Sequence, residues 1–170
     1  MQKRYLKLLK KIWKERAIMN PIILMDVKSG HPDLNKLLQK LDDYLYTLYP
    51  TEEVFTIDLE TLSIRDVQFV IAYLDEQAVG CGAIKEINKD EIELKRFFVR
   101  DDYRNQGVAG EILKNLEKKA KNQNYYLMKL ETGDQQVEAI SFYRKNGYVE
   151  IDRFGEYVDC PSSICMEKRL

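Results

Sequence analysis

A candidate phosphate-binding turn lies at Arg104-Asn105-Gln106-Gly107-Val108-Ala109-Gly110. It follows an apolar run ending in Phe97-Phe98-Val99 and opens a segment of helical periodicity, so it reads as strand, polar turn, helix. The start of a helix leaves about four backbone N–H groups without partners. The helix dipole adds partial positive charge at the same end, and the two together favour an anion. Gly107 lets a bulky diphosphate approach the backbone, Ala109 and Gly110 keep the helix start uncrowded, and Arg104 supplies a formal charge. No Gly-Lys-Ser/Thr follows, which excludes a P-loop, and the Gly-x-Gly-x-x-Gly spacing of dinucleotide folds is missing.

Other chemistries lack their residues. His31 is the sole histidine and stands in a turn before Pro32, so no histidine base serves a serine or cysteine nucleophile. Cys81, Cys160 and Cys165 make neither an even disulfide framework nor, with one histidine, a four-ligand zinc set. No metal is expected.

The turn resembles the acetyl-CoA motif of the GNAT superfamily of acyl-CoA-dependent N-acyltransferases, Arg/Gln-x-x-Gly-x-Gly/Ala. A second segment, Glu138-Ala139-Ile140-Ser141-Phe142-Tyr143-Arg144-Lys145-Asn146-Gly147-Tyr148, is similar to that family's Ala-x-x-Phe-Tyr-x-x-x-Gly-Phe/Tyr helix end. The resemblance covers residues 20–170 and implies an acetyl-CoA-dependent N-acetyltransferase. It implies that N–H groups around Gln106, Gly107, Val108, Ala109 and Gly110 hold the CoA diphosphate, beside Arg104 and Asn105. It also implies that the strand ending in Phe97, Phe98 and Val99 splays from strand 126–131, so that the pantetheine arm enters the gap and pairs near Val99. The family often has asparagine where this chain has Gln136.

The same resemblance suggests catalytic roles. Tyr143 is the candidate acid for the departing thiolate, since a phenol with a pKa of about 10 is protonated at neutral pH. The alternative is a core aromatic at a helix end. Glu93, four residues before Phe97, is the candidate base, with a solvated strand residue or a water relay as alternatives. The Phe97 N–H is the expected oxyanion donor. Strand alternation puts Glu93, Lys95, Phe97 and Val99 on one face and Leu94, Arg96 and Phe98 on the other. The family builds the acceptor side from the first helix and loop and the last strand pair, which nominates Tyr46, Tyr49, Arg153 and Tyr157. Lys95 and Arg96 suit an anionic group on the acceptor. The acceptor is an amine of a small molecule or a protein, and dimers are common in similar folds, so a homodimer stays open.

The elements that must hold these residues follow from pattern. Strands are expected at 22–27, 67–74, 78–87, 91–99, 126–131, 149–153 and 163–168, with helices from Leu34 to a stop at Pro50, from Val108, and over 135–146. Asp33 is the expected cap of the first helix and Gly147 the left-handed terminator of the last. The order is β-α-β-β-β-α-β-α-β-β: an α+β fold with one mixed, mainly antiparallel sheet flanked by helices. Residues 51–64 read as a surface loop.

Of 170 residues, 45% are hydrophobic and 32% charged, the balance of a globular domain. No apolar run spans a membrane, and no secretory leader is evident, so a cytoplasmic location is expected. Residues 1–16 carry seven Lys and Arg against Glu15, a net +6, which leaves −7 on the other 154. Residues 1–19 therefore read as a basic amphipathic extension, while the acidic body argues against nucleic acid. Two further readings compete with the enzyme: a non-catalytic acyl-CoA-binding regulatory module, and a partner- or membrane-docking protein using the basic segment.

Overall fold

In the computed structural model, residues 21–56 and 67–170 are described. The basic segment at 1–16 lies outside them, as does part of the expected 51–64 loop. Seven strands form one sheet: β1 (Ile23–Val27), β2 (Val67–Leu74), β3 (Gln77–Glu86), β4 (Glu91–Val99), β5 (Leu127–Gly133), β6 (Val149–Ile151) and β7 (Ser163–Arg169). Among the described residues three α-helices accompany them: α1 (Pro32–Leu48), α2 (Val108–Asn122) and α3 (Val137–Lys145). The strand order is β1-β2-β3-β4-β5-β7-β6. Only β4 and β5 pair in parallel, and α2 makes the crossover between them. Among the described residues no helix is long and apolar enough to cross a membrane.

Each helix buries one stripe. Leu34, Leu37, Leu38 and Leu41 of α1 pack on Phe69, Ile71 and Phe98 on one face of the sheet. Val108, Ile112, Leu113, Leu116 and Ala120 of α2 pack on Val70, Ile84 and Leu94 on the other. Fully burying such a side chain is worth about 1.5–3 kcal/mol, so these stripes fix where the helices lie. Close packing of α2 depends on Gly80 of β3. A Cβ there would stand 2.8 Å from the Phe98 carbonyl and 3.0 Å from Ile112.

Local details depart from the pattern in places. His31, rather than Asp33, caps α1: its Nδ1 accepts from the Asp33 N–H at 3.2 Å, with Pro32 in the first turn. The Asp33 carboxylate instead accepts from the Tyr73 hydroxyl and from Lys36, which hold its pKa below the usual value. Asp75 and Glu76 alone make the β2–β3 turn, both with positive φ, as a two-residue hairpin requires. Gly147 is left-handed after α3, at φ +89°. β5 runs to Gly133, two residues past its expected end.

Candidate active site

β4 and β5 part company in mid-sheet. Their pairing ends at Leu94–Leu130, although β4 continues to Val99 and β5 to Gly133. The gap opens into a cavity of about 770 Å³, walled by the end of β4, the 104–110 turn, α3 and α1.

The far edge of β4 keeps its backbone groups aimed at that gap. Arg100 N–H donates to the Val79 carbonyl at 2.9 Å, one step beyond the Val99–Gly80 pair. Val99 is therefore a non-hydrogen-bonded pair member whose own N–H and C=O turn away from β3. Arg104 Nε donates to that Val99 carbonyl at 3.3 Å. Between Cys81 and Ala83 the β3–β4 register slips, and Arg96 takes φ +54°. This bulge overturns the strict alternation expected for β4. Lys95 turns to Tyr157 and Glu156 and Arg96 to α1, while Phe97 joins Leu94 and Val99 on the α2 side. It also orients a donor. The Cys81 thiol donates to the Arg96 carbonyl at 3.5 Å, so that oxygen faces β3. In a trans peptide the following N–H, that of Phe97, points the opposite way, away from Cys81.

The turn supplies the second set of donors. Gly107 is the N-cap of α2 at φ +86°, and no side chain caps the helix. Among the described residues no acceptor meets the N–H groups of residues 105 to 110. Asn105, Gly107, Ala109 and Gly110 line the cavity. Val108 is buried beneath the sheet, and the Gln106 side chain turns back to the Asp102 carbonyl at 3.0 Å, so these two contribute main chain only. Arg104 lines the cavity but bonds Asp101 at 2.7 Å and Glu138 at 3.4 Å, tying the turn to α3. Gln136, the N-cap of α3, also lines it.

Tyr143 reaches the cavity from α3, and its ring packs edge-on to Phe97 with centroids 5.9 Å apart. Its hydroxyl has no hydrogen-bond partner among the described residues. Burial pushes the phenol above its usual pKa, with the nearby Glu131 charge adding to it, so it stays protonated.

Glu93, the candidate base, stands on β4. It is buried and is not part of the cavity wall. Its Oε1 accepts from the Tyr157 hydroxyl at 2.5 Å and pairs with Lys95 at 3.3 Å. Lys95 also bonds Tyr157 at 2.5 Å and Glu156 at 2.8 Å. Burial, then the Glu93 charge, raises the Tyr157 pKa. Lys95 and Tyr157 themselves face the cavity, as does Arg96, whose guanidinium bonds Asp42 at 2.6 Å and the Leu38 carbonyl at 3.3 Å.

The other expected acceptor residues lie off the cavity. Tyr46 is half-exposed on α1. Tyr49 lies against Gly133, and its hydroxyl accepts from the Gln135 N–H at 2.8 Å. Arg153 is spent on the Ser163 and Pro161 carbonyls. In their place the cavity has Phe55, Tyr44, Thr132 and Glu131, which sequence reasoning missed. Glu131 read as the closing residue of a strand; the one signal it gave was a carboxylate interrupting an apolar run. The Cys81 thiol, pushed up to about 12 by burial, is no nucleophile.

These features define an acyl-CoA-dependent acyltransferase architecture, and comparison with known proteins agrees. The profile of the Acetyltransferase (GNAT) family matches residues 34–148, and the chain belongs to that family. It is 37% identical over 136 residues to an IAA acetyltransferase of Azospirillum brasilense, covering 79% of this chain and 89% of that protein. A crystal structure from Klebsiella pneumoniae, described as an acyl-CoA N-acyltransferase, superposes with a TM-score of 0.78 at 31% identity, covering 88% of this chain and 97% of the other. A GNAT family acetyltransferase from Elizabethkingia anophelis with acetyl-CoA bound shares the fold, with a TM-score of 0.64 at 21% identity over 88% and 98% of the chains.

Proposed function

We propose that this chain transfers an acetyl group from acetyl-CoA to a primary amine, by direct attack while both are bound. The observation that carries the reading is that two unsatisfied sets of backbone groups converge on one cavity. The N–H groups of residues 105–110 suit a diphosphate. The groups of Phe97 and Val99 turned away from β3 suit an extended arm with its own amides. Acetyl-CoA supplies the acyl group, activated as a thioester.

The chain's own residues then divide the work. Phe97 N–H, aimed by the bulge at Arg96, stabilises the carbonyl oxygen as it gains charge. Tyr143 donates its proton to the departing sulfur. Phe98 and Gln136 shape the wall beside the arm, and Arg104 braces the turn. The acceptor, a small molecule or a protein amine, enters over Arg96 and Tyr157. Glu93, behind that floor, orients Tyr157 and Lys95.

Thermal unfolding with and without acetyl-CoA tests the reading. At a ligand concentration near 100 times Kd, stabilisation of about 2.7 kcal/mol is expected, accompanied by amine-dependent release of CoA thiol. No stabilisation at millimolar acetyl-CoA would end it.

A further inference from the structure

Two buried cations line the acceptor end of the cavity, and their donors are used differently. Lys95 is fully engaged: its Nζ pairs with Glu93 at 3.3 Å and Glu156 at 2.8 Å and donates to Tyr157 at 2.5 Å. Arg96 is not. Its Nη2 donates to the Asp42 carboxylate at 2.6 Å and to the Leu38 carbonyl at 3.3 Å, which fixes the guanidinium against α1. Nη1 and Nε have no acceptor among the described residues, yet the side chain is only 5% exposed. These two nitrogens are not sealed either, since Asn115 Oδ1 is the sole sealed and unpartnered side-chain polar atom among the described residues. Arg96 belongs to the cavity wall, so their opening is to the cavity.

A buried guanidinium N–H without an acceptor costs free energy that an incoming oxygen recovers. Three such donors in one plane suit a carboxylate. The rest of that end is apolar. Leu41, Tyr44 and Leu45 share one face of α1 and stand with Phe55 and Tyr157, whose rings meet edge-on at 4.8 Å. Glu131 puts a negative charge on the same wall, which disfavours a second anionic group. Arg96 directly precedes Phe97, the oxyanion donor above, and neighbouring Cα atoms lie about 3.8 Å apart. Anion site and point of attack therefore fall within the span of one small molecule.

Resting on the acetyl-transfer reading, we propose that the acceptor is an amino acid with an apolar side chain, its carboxylate bound by Nη1 and Nε of Arg96. The side chain lies among Leu41, Tyr44, Leu45 and Phe55. Starting from the neutral amine, an N–C bond forms and the C–S bond breaks. Sulfur takes the Tyr143 proton, and the proton shed by nitrogen restores Tyr143, leaving an N-acetylamino acid and CoA.

The test compares L-phenylalanine with L-phenylalaninamide and phenethylamine, which keep the amine and the ring but lose the anion, by thiol release in wild type. For the acid, kcat/KM should exceed both by about 10²-fold, the loss expected where buried donors go unmatched. L-Leucine should follow L-phenylalanine, with L-aspartate about tenfold or more behind. Arg96→Lys keeps a cation for Asp42 but not the planar donors. It should shrink the preference for the acid over phenethylamine to within about tenfold, mainly through KM, while calorimetry finds acetyl-CoA still bound. The wild-type comparison needs no variant, so it decides the matter even where Arg96→Lys fails to fold. Equal turnover of acid, amide and amine overturns the assignment, as does a preference for spermidine, for L-aspartate or for a lysine-bearing peptide. So does a preference for the acid that survives intact in Arg96→Lys. Failure of wild type to bind acetyl-CoA would instead sink the transfer reading, while calorimetric titration of L-phenylalanine and phenethylamine still decides whether the carboxylate subsite exists.

Discussion

Replacing Glu131 with glutamine should make the protein more stable at alkaline pH. The carboxyl is raised from 4.5 to about 6, first by burial, while the Ser163 hydrogen bond and Lys95 pull the other way. A raised carboxyl pKa means that the fold prefers the neutral form. The favourable contribution is complete below about pH 4.5 and is lost as pH rises through about 6. The shift of about 1.5 units, at about 1.36 kcal/mol each, puts the cost of ionised Glu131 near 2 kcal/mol at pH 8. Glutamine presents the same oxygen to Ser163 without the charge. Urea unfolding of wild type and Glu131→Gln at pH 4.5, 6 and 8 reads the difference directly. The variant should gain up to about 2 kcal/mol at pH 8, or about 4–8 °C in Tm for a chain of this size, shrinking towards zero at pH 4.5. A variant less stable at pH 8 would show that Lys95 outweighs burial. A difference independent of pH would show that the carboxyl is not perturbed.

Two further outcomes follow from the geometry. Tyr143→Phe should lower kcat by about 10²-fold or more while calorimetry finds acetyl-CoA binding unchanged, because the lost hydroxyl has no partner in the free protein. Gly80→Ala should cost about 1–3 kcal/mol in denaturant unfolding, since the new methyl would meet the Phe98 carbonyl at 2.8 Å, where no side chain can yield.

The cofactor end of the site was legible because its determinants are local. A glycine with positive φ, small residues after it and the switch from strand to helix period all sit within ten residues of Gly107. The order of elements and the α+β class were readable for the same reason: each apolar stripe fits one period only. The catalytic end was less so. The bulge at Arg96 places a positive φ on an arginine, and residue type gives no notice of it. Its effect, bringing Phe97 to the face of Leu94, defeats any count by twos. Tyr46, Tyr49 and Arg153 were nominated by the elements that carry them. Where they point depends on long-range packing, such as Tyr49 against Gly133, 84 positions away by the numbering. Glu131 meets the cavity only because β4 leaves β5, a property of two strands and of neither alone.

That parting has a consequence for how an occupant is held. Raw strand edges normally lie at the margins of a sheet, where foreign chains can pair with them. Here one lies at its middle, so an extended guest with amides of its own would be stitched in as an inner strand rather than merely filling a hole. Exchange of the Val99 amide with deuterated solvent would then report occupancy directly: quick when the slot is vacant, slow once the guest is laced in.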